Sequence, residues 1–152
     1  MTPERFATFD KVLMKIANNI SEMSLATRAK VGAILFKDGN IISMGWNGMP
    51  SGFNNDDIEQ LQPDGSLVTN QLALHAESNA LMKCAASGGV TSRGATLYVT
   101  MSPCKECCKL IIQARISKVI YETEYRDKSS IAILQQAGIE TIYLPKGEQH
   151  GA

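Results

Sequence analysis

His75-Ala76-Glu77 and, further along, Pro103-Cys104-Lys105-Glu106-Cys107 place one imidazole, two thiols and one carboxylate in two short segments. An imidazole and two thiolates suit zinc, and a zinc ion with three protein ligands keeps its fourth tetrahedral position for water. A carboxylate beside such an ion serves as general base. Glu77 is therefore the candidate catalytic residue, and His75, Cys104 and Cys107 are the candidate ligands of one catalytic Zn²⁺ per chain. A closed structural site fills all four positions with protein atoms and has no use for that carboxylate.

The spacing says how the chain must present these groups. Residues two apart on a regular helix face nearly opposite sides, so His75 and Glu77 can serve one ion only if His75 stands at a helix entrance. Cys104 and Cys107, three apart, share a face, and Pro103 suits a first turn, where its missing N–H costs nothing. A helix N-terminus carries partial positive charge, which favours the thiolate that zinc requires. Each motif thus predicts a helix start, and the two starts must converge.

The elements that would do this are legible from period and punctuation. Phe6, Phe9, Leu13, Ile16 and Ile20 recur at helical steps behind Thr2-Pro3-Glu4, which offers a cap, an N1 proline and a first-turn acid. Residues 31–36 and 41–46 are apolar runs joined by Lys37-Asp38-Gly39-Asn40, a hairpin pattern. Residues 47–74 are rich in Gly, Pro, Asn and Asp without a period, a long functional or disordered loop. A helix over 75–87 stopped by Gly88-Gly89, strands over 96–100, 118–122 and 139–144, helices over 104–114 and 129–137, and a tail from 145 complete the reading. A hairpin followed by strand-helix-strand passages makes an α/β three-layer α/β/α sandwich. Its five-stranded mixed sheet has parallel later strands and carries its site at the strand ends.

Bulk properties narrow the partners. With 152 residues, 44% apolar and 20% charged, the chain reads as a single domain over 1–152 that builds a core without disulfide staples. No apolar run is long enough to span a bilayer, so no membrane is expected. The start, Met1-Thr2-Pro3-Glu4-Arg5-Phe6, lacks a secretory pattern, so a cytoplasmic, reducing setting is expected for the four cysteines. Fifteen basic residues balance fifteen acidic ones, which disfavours a long nucleic acid, whereas a small anionic substrate needs only a few cations.

The pairing of H-x-E with P-C-x-x-C is the signature of zinc nucleobase deaminases. With Val31-Gly32-Ala33-Ile34, Gly45-Trp46-Asn47-Gly48-Met49-Pro50-Ser51-Gly52, His75-Ala76-Glu77-Ser78-Asn79-Ala80 and Tyr125-Arg126-Asp127, the chain resembles the cytidine and deoxycytidylate deaminase superfamily, its deoxycytidylate branch in particular, across residues 4–144. The resemblance implies a cytidine-deaminase-like fold and hydrolytic deamination of dCMP to dUMP and ammonia, with Glu77 moving protons to N3 and then to the leaving amine. It also implies activation by dCTP with Mg²⁺, inhibition by dTTP, and a homo-oligomer, usually a hexamer.

A monophosphate substrate needs fixed guanidinium groups, for which Arg28 and Arg126 are the candidates. By the same resemblance Tyr125 packs on base or sugar, Asn47 bonds sugar or base, and Asn79 orients the phosphate. Ala76, Ser102 and Pro103, which flank the ligand residues, complete the substrate-binding set. The stretch Gly48, Met49, Pro50, Ser51, Gly52, Phe53 and Asn54 matches part of a triphosphate regulatory site, and Ala86 stands where the family often carries a regulatory arginine. Cys84 and Cys108 are expected in the core, and Asp56, Asp57 and Glu59 on a solvated loop face. Two other functions stay open: deamination of adenosine in tRNA or of another nucleobase, against which zero net charge and Tyr125-Arg126-Asp127 count, and an idle zinc-binding regulatory protein, against which Glu77 counts.

Overall fold

The computed structural model describes residues 2–125 and 127–149. Helix α1 (Pro3–Ser21) begins as its sequence directs: Thr2 is the N-cap, its hydroxyl accepts from the Arg5 amide at 3.2 Å, and Pro3 occupies the first turn. Strands β1 (Gly32–Lys37) and β2 (Asn40–Trp46) follow, joined by Asp38 at φ 51° and Gly39 at φ 80°, the two-residue turn whose positive angles favour Asp-Gly. After a 3₁₀ turn (Asn55–Ile58) come two three-residue strands, β3 (Glu59–Leu61) and β4 (Leu67–Thr69), which pair antiparallel. The expected loop over 47–74 therefore holds a hairpin of its own. Its strands are too short and too exposed to show an alternating pattern in sequence.

Helix α2 (Ala76–Ser87) ends on Gly88 in the left-handed region at φ 73°, as Gly88-Gly89 suggests. The remainder alternates strand and helix: β5 (Thr96–Met101), α3 (Lys105–Gln113), β6 (Lys118–Thr123), α4 (Ser129–Gln136) and β7 (Glu140–Tyr143). Where a tail was expected from 145, a four-residue helix α5 (Lys146–Gln149) forms. Among the described residues no helix is long and apolar enough to cross a membrane.

The main sheet has the order β2-β1-β5-β6-β7. β1 runs antiparallel to both its neighbours, while β5, β6 and β7 are parallel. Alternation divides the side chains between two layers. Ala33, Leu35, Leu97, Val99, Val119 and Tyr121 face the helices α2, α3 and α4, whereas Ile34, Tyr98 and Ile120 meet Leu13, Met14 and Ala17 of α1. Cys84 and Cys108 are buried in the first of these layers, as expected.

This topology fixes where chemistry can sit. The ends of β2, β5 and β6 and the start of β1 all lie at one edge of the sheet, so residues 26–31, Asn47, Ser102–Cys104 and Tyr125 come off the same rim. The entrance of α2 is drawn to that rim by Gly45, where a Cβ would stand 2.4 Å from the Ala76 carbonyl oxygen and 2.5 Å from the Ala80 nitrogen. Only a residue without a side chain lets the helix backbone lie so close to the strand.

Gly45→Ala is accordingly expected to lower stability by about 1–3 kcal/mol through overpacking. Chemical denaturation reads this directly, and an unchanged midpoint would show that α2 moves away at no cost.

Candidate metal centre and substrate cavity

His75 and Cys104 occupy equivalent places: each is the N-cap of its helix, with extended backbone at φ −75°, ψ 159° and φ −74°, ψ 170°. Neither side chain caps its own helix. Both are instead turned across the gap between the two helices, where His75 Nδ1 lies 3.4 Å from Cys104 Sγ and 3.4 Å from Cys107 Sγ. All three donor atoms lie within 4.8 Å of one another. Metal–ligand bonds of about 2.3 Å for sulfur and 2.0–2.1 Å for nitrogen, at tetrahedral angles, place ligand atoms roughly 3.5–3.8 Å apart. The donor set thus fits zinc, with Nδ1 as the ring nitrogen facing the ion. The i,i+2 argument that set His75 at a helix entrance describes the geometry found.

Electrostatics at the two helix ends agree with this reading. Cys104 is held at about 3, far below the ordinary thiol range, because Cys107 donates to it and His75 lies against it. Cys107, the donor of that pair and the more buried thiol, is pushed upward. His75 is raised, chiefly by its hydrogen bond with Cys104. The two thiols are thus poised in opposite senses, and metal binding requires both sulfurs and His75 Nδ1 to be free of protons.

Glu77 stands one residue into α2, 4% exposed and oriented toward Cys107. Burial raises its carboxyl, while its own backbone N–H and the neighbouring His75 pull the other way. An acid kept at this balance beside the ligand cluster is suited to taking up and returning a proton.

A cavity of about 250 Å³ opens over the cluster. That is near the lower end of small-ligand pockets, roughly 300 Å³, and far too small for a nucleic-acid duplex. Of the candidate residues, Arg28, Asn47, His75, Ala76, Glu77, Ser102, Cys104 and Tyr125 line it. Asn47 spends its amide on the backbone, accepting from Val31 N at 2.8 Å and donating to Ala29 O at 2.9 Å, so it fixes the segment that follows Arg28. Ser102 is buried and accepts from the Tyr125 amide at 2.9 Å, which ties the exits of β5 and β6 together. Burial, then the charges of Glu77, Cys104 and Cys107, raise the Tyr125 phenol.

Two of the substrate candidates, Asn79 and Pro103, line other cavities. Asn79 donates to the Trp46 carbonyl at 2.7 Å and faces a different cavity, of about 400 Å³, together with Gly48, Met49, Pro50, Ser51, Gly52, Phe53, Lys83 and Ala86. It sits two residues beyond Glu77 on α2, which turns it to the other side of the helix. Pro103 is buried and borders a shallow concavity with Lys105, Glu106, Tyr125 and Asp127. Arg126 lies outside the described residues. Asn54 is not among the residues lining the loop cavity; its side chain accepts from the Asp56 amide at 3.1 Å as cap of the 3₁₀ turn.

Glu59 is the residue that the sequence reading misplaced. Expected on a solvated face, its side chain is only 8% exposed and lines the cavity over the metal cluster. It pairs with Arg28 Nε at 3.0 Å. Its signal in sequence was masked by the neighbouring Asp56 and Asp57 and by the absence of any visible strand period around it.

Comparison with known proteins agrees with the site. The family described as the cytidine and deoxycytidylate deaminase zinc-binding region matches residues 7–123. The deoxycytidylate deaminase of Enterobacteria phage T2 is 34% identical over 173 residues, covering 88% of this chain and 91% of that protein. The deoxycytidylate deaminase of Saccharomyces cerevisiae is 33% identical over 144 residues, 91% of this chain and 46% of that one. Among solved structures, the dCMP deaminase of cyanophage S-TIM5 in complex with dCMP and dUMP superposes with a TM-score of 0.80 at 42% identity, covering 95% of this chain and 99% of that chain. Shared sequence, shared fold and a donor set of the right kind at the right place together make this chain a member of the cytidine and deoxycytidylate deaminase zinc-binding family.

Proposed function

We propose that the protein is a dCMP deaminase that converts dCMP and water to dUMP and ammonia. The observation that carries this is the convergence of His75, Cys104 and Cys107 with the buried Glu77 at the end of one cavity whose wall includes Arg28. Support comes from the phage and yeast relatives, which bear that activity in their names, and from the structure crystallised with dCMP and dUMP.

In this reading His75, Cys104 and Cys107 hold one Zn²⁺, which supplies an activated water at neutral pH when bound. Glu77 would take a proton from the attacking water as its oxygen bonds to C4 and deliver it to N3 of the cytosine, then carry the proton of the new C4 hydroxyl to the amine as the C4–N bond breaks. Burial keeps the Glu77 carboxylate out of competing solvent. Arg28 and Arg126 serve the 5′-phosphate, Tyr125 lies along the base or sugar, and Asn47 keeps the Arg28 segment in place. The cavity beneath residues 48–53 is the proposed seat of dCTP, with Mg²⁺, and of dTTP. Ala86 stands where the family often has arginine, and Lys83, one helical turn away with its ammonium 3.8 Å from the centre of the Trp46 ring, is the cation this cavity offers to phosphate. A homo-oligomer, in the family's habit a hexamer, and a cytoplasmic location complete the proposal; the free cysteines fit a reducing compartment.

The direct test follows ammonia release from dCMP, dCTP, deoxycytidine and cytosine, and from dCMP with added dCTP or dTTP. Turnover of dCMP, raised by dCTP and lowered by dTTP, is expected. No turnover of dCMP, or preferential turnover of a tRNA adenosine, removes the reading. Two variants separate the roles within the site. Glu77→Gln is expected to retain zinc by elemental analysis and to lose roughly 10²–10⁴-fold in kcat; loss of metal from it would mean that Glu77 is a ligand. Cys104→Ala is expected to lose both zinc and thermal stability, because metal binding and folding are coupled, and full metal occupancy in that variant would contradict its assignment.

A further inference from the structure

We propose that Glu59 is a positioning residue for substrate binding: with Thr69 it grips one side of the Arg28 guanidinium and leaves the other side for the substrate phosphate. The inference rests on the reading of the chain as a dCMP deaminase.

The geometry limits what Glu59 can do. Its Oε1 accepts from Thr27 N at 2.7 Å and from Thr27 Oγ1 at 2.8 Å, and its Oε2 from Arg28 N at 3.2 Å and Arg28 Nε at 3.0 Å. A carboxylate offers about four lone-pair sites, so these four donors saturate it. Glu59 therefore lines the cavity without an acceptor to spare for a nucleotide hydroxyl or amine. Its carboxyl is held at about 2, first by the Thr27 amide and hydroxyl and then by Arg28, so it is ionised throughout the neutral range.

Arg28 is equally constrained. Its Nε is committed to Glu59, and Nη2 donates to the Thr69 hydroxyl. Glu59 and Thr69 are direct cross-strand partners in the β3–β4 hairpin, so a single residue pair holds the guanidinium from one side. The hairpin itself is docked beside this segment: Ile58, 3% exposed, packs with Ala26 and Met49, and Asn70 N donates to Ile58 O at 2.9 Å. A guanidinium has five N–H donors, which leaves both hydrogens of Nη1 and one of Nη2 without a partner among the described residues. Those remaining donors form the fork that recognises a phosphate.

Holding this long side chain in place before the ligand arrives removes an ordering cost from binding. The backbone that carries Arg28 has a second anchor in Asn47, which bonds Ala29 and Val31, so the charge of Glu59 is not needed merely to keep the segment folded. The short hairpin inside the long loop thereby acquires a function: it brings the Glu59–Thr69 pair to the cavity wall.

The test is steady-state kinetics with dCMP on the zinc-loaded wild type, E59Q, T69V, R28A and the E59Q/R28A double variant. Loss of a hydrogen bond to a charged group predicts that E59Q raises KM about 10-fold or more, with kcat within about 2-fold of wild type. T69V, which removes one neutral acceptor and keeps the side-chain volume, is expected to raise KM by a smaller factor. In the R28A background, E59Q should change KM no further, because its effect runs through a guanidinium that is no longer there. Wild-type KM in both single variants overturns the proposal. So does an E59Q effect of the same size with and without Arg28, or one that falls on kcat alone. Should E59Q lose its cooperative melt, T69V and its own pairing with R28A decide the matter. A wild-type protein that does not turn over dCMP refutes the functional reading itself, an outcome distinct from an active enzyme indifferent to Glu59.

Discussion

Everything at the candidate metal centre depends on how closely the first turn of α2 can approach the sheet. Gly45 sets that distance: any Cβ at this position would overlap the Ala76 carbonyl and the Ala80 amide. With the helix seated there, His75 and Glu77 project from its entrance at a fixed height above the rim where β5 and β6 end. The thiols of α3 then meet the imidazole at 3.4 Å. Gly32 does the same service on the opposite face, where a Cβ would fall 2.0 Å from the Ala17 carbonyl oxygen of α1. At these two points helix backbone meets strand backbone with no side chain between, an arrangement with little room to slide.

The helix starts show a local preference given up for chemistry. N-cap positions favour Ser, Thr, Asp or Asn because their short oxygens satisfy free amides of the first turn. Thr2 of α1 does this, whereas His75 of α2 and Cys104 of α3 do not. Their side chains turn toward each other, and the first-turn amides, among them those of Glu77 and Cys107, add positive potential where thiolate and carboxylate charge collects. Burying Glu77 at 4% exposure is a second local cost. Such costs are sustained by the packing around them, here the apolar layer of Ala80, Leu81, Cys84, Val99 and Cys107.

The segment 47–74 serves both sides of α2. On one side its hairpin supplies Glu59 and Thr69 to the cavity over the metal cluster; on the other, Gly48 to Phe53 line a second cavity against Asn79, Lys83 and Ala86. Asn47 and Asn79 stand near the divide, and each is tied to main chain at or near the end of a strand, Asn47 to Ala29 and Val31 and Asn79 to Trp46. Movement of this segment would be felt in both cavities, because the bridge between Gly48 and Leu74 links the loop's start directly to the residue before His75. That bridge joins the walls of the two cavities through main chain.

Sequence alone determined the elements that have a long period or an unambiguous signal. The helical stripe of α1, the Asp-Gly turn between β1 and β2, the glycine stop of α2 and the strand-helix alternation after it are local properties, each written in neighbouring residues. It also determined the donor set, since an imidazole, two thiols and a carboxylate at those spacings permit few chemistries, and the i,i+2 relation of His75 to Glu77 admits only a helix entrance. What tertiary structure decided is everything that depends on partners distant along the chain. Glu59 could not be told from Asp56 and Asp57 by type, because its surroundings come from Thr27 and Arg28 folding against it; the i,i+2 relation to Glu77 turns Asn79 to the other side of α2, but what it meets there depends on where Trp46 ends β2. Composition and period record local free energy, whereas a binding cavity is made by segments that meet only after the sheet has brought them to one rim.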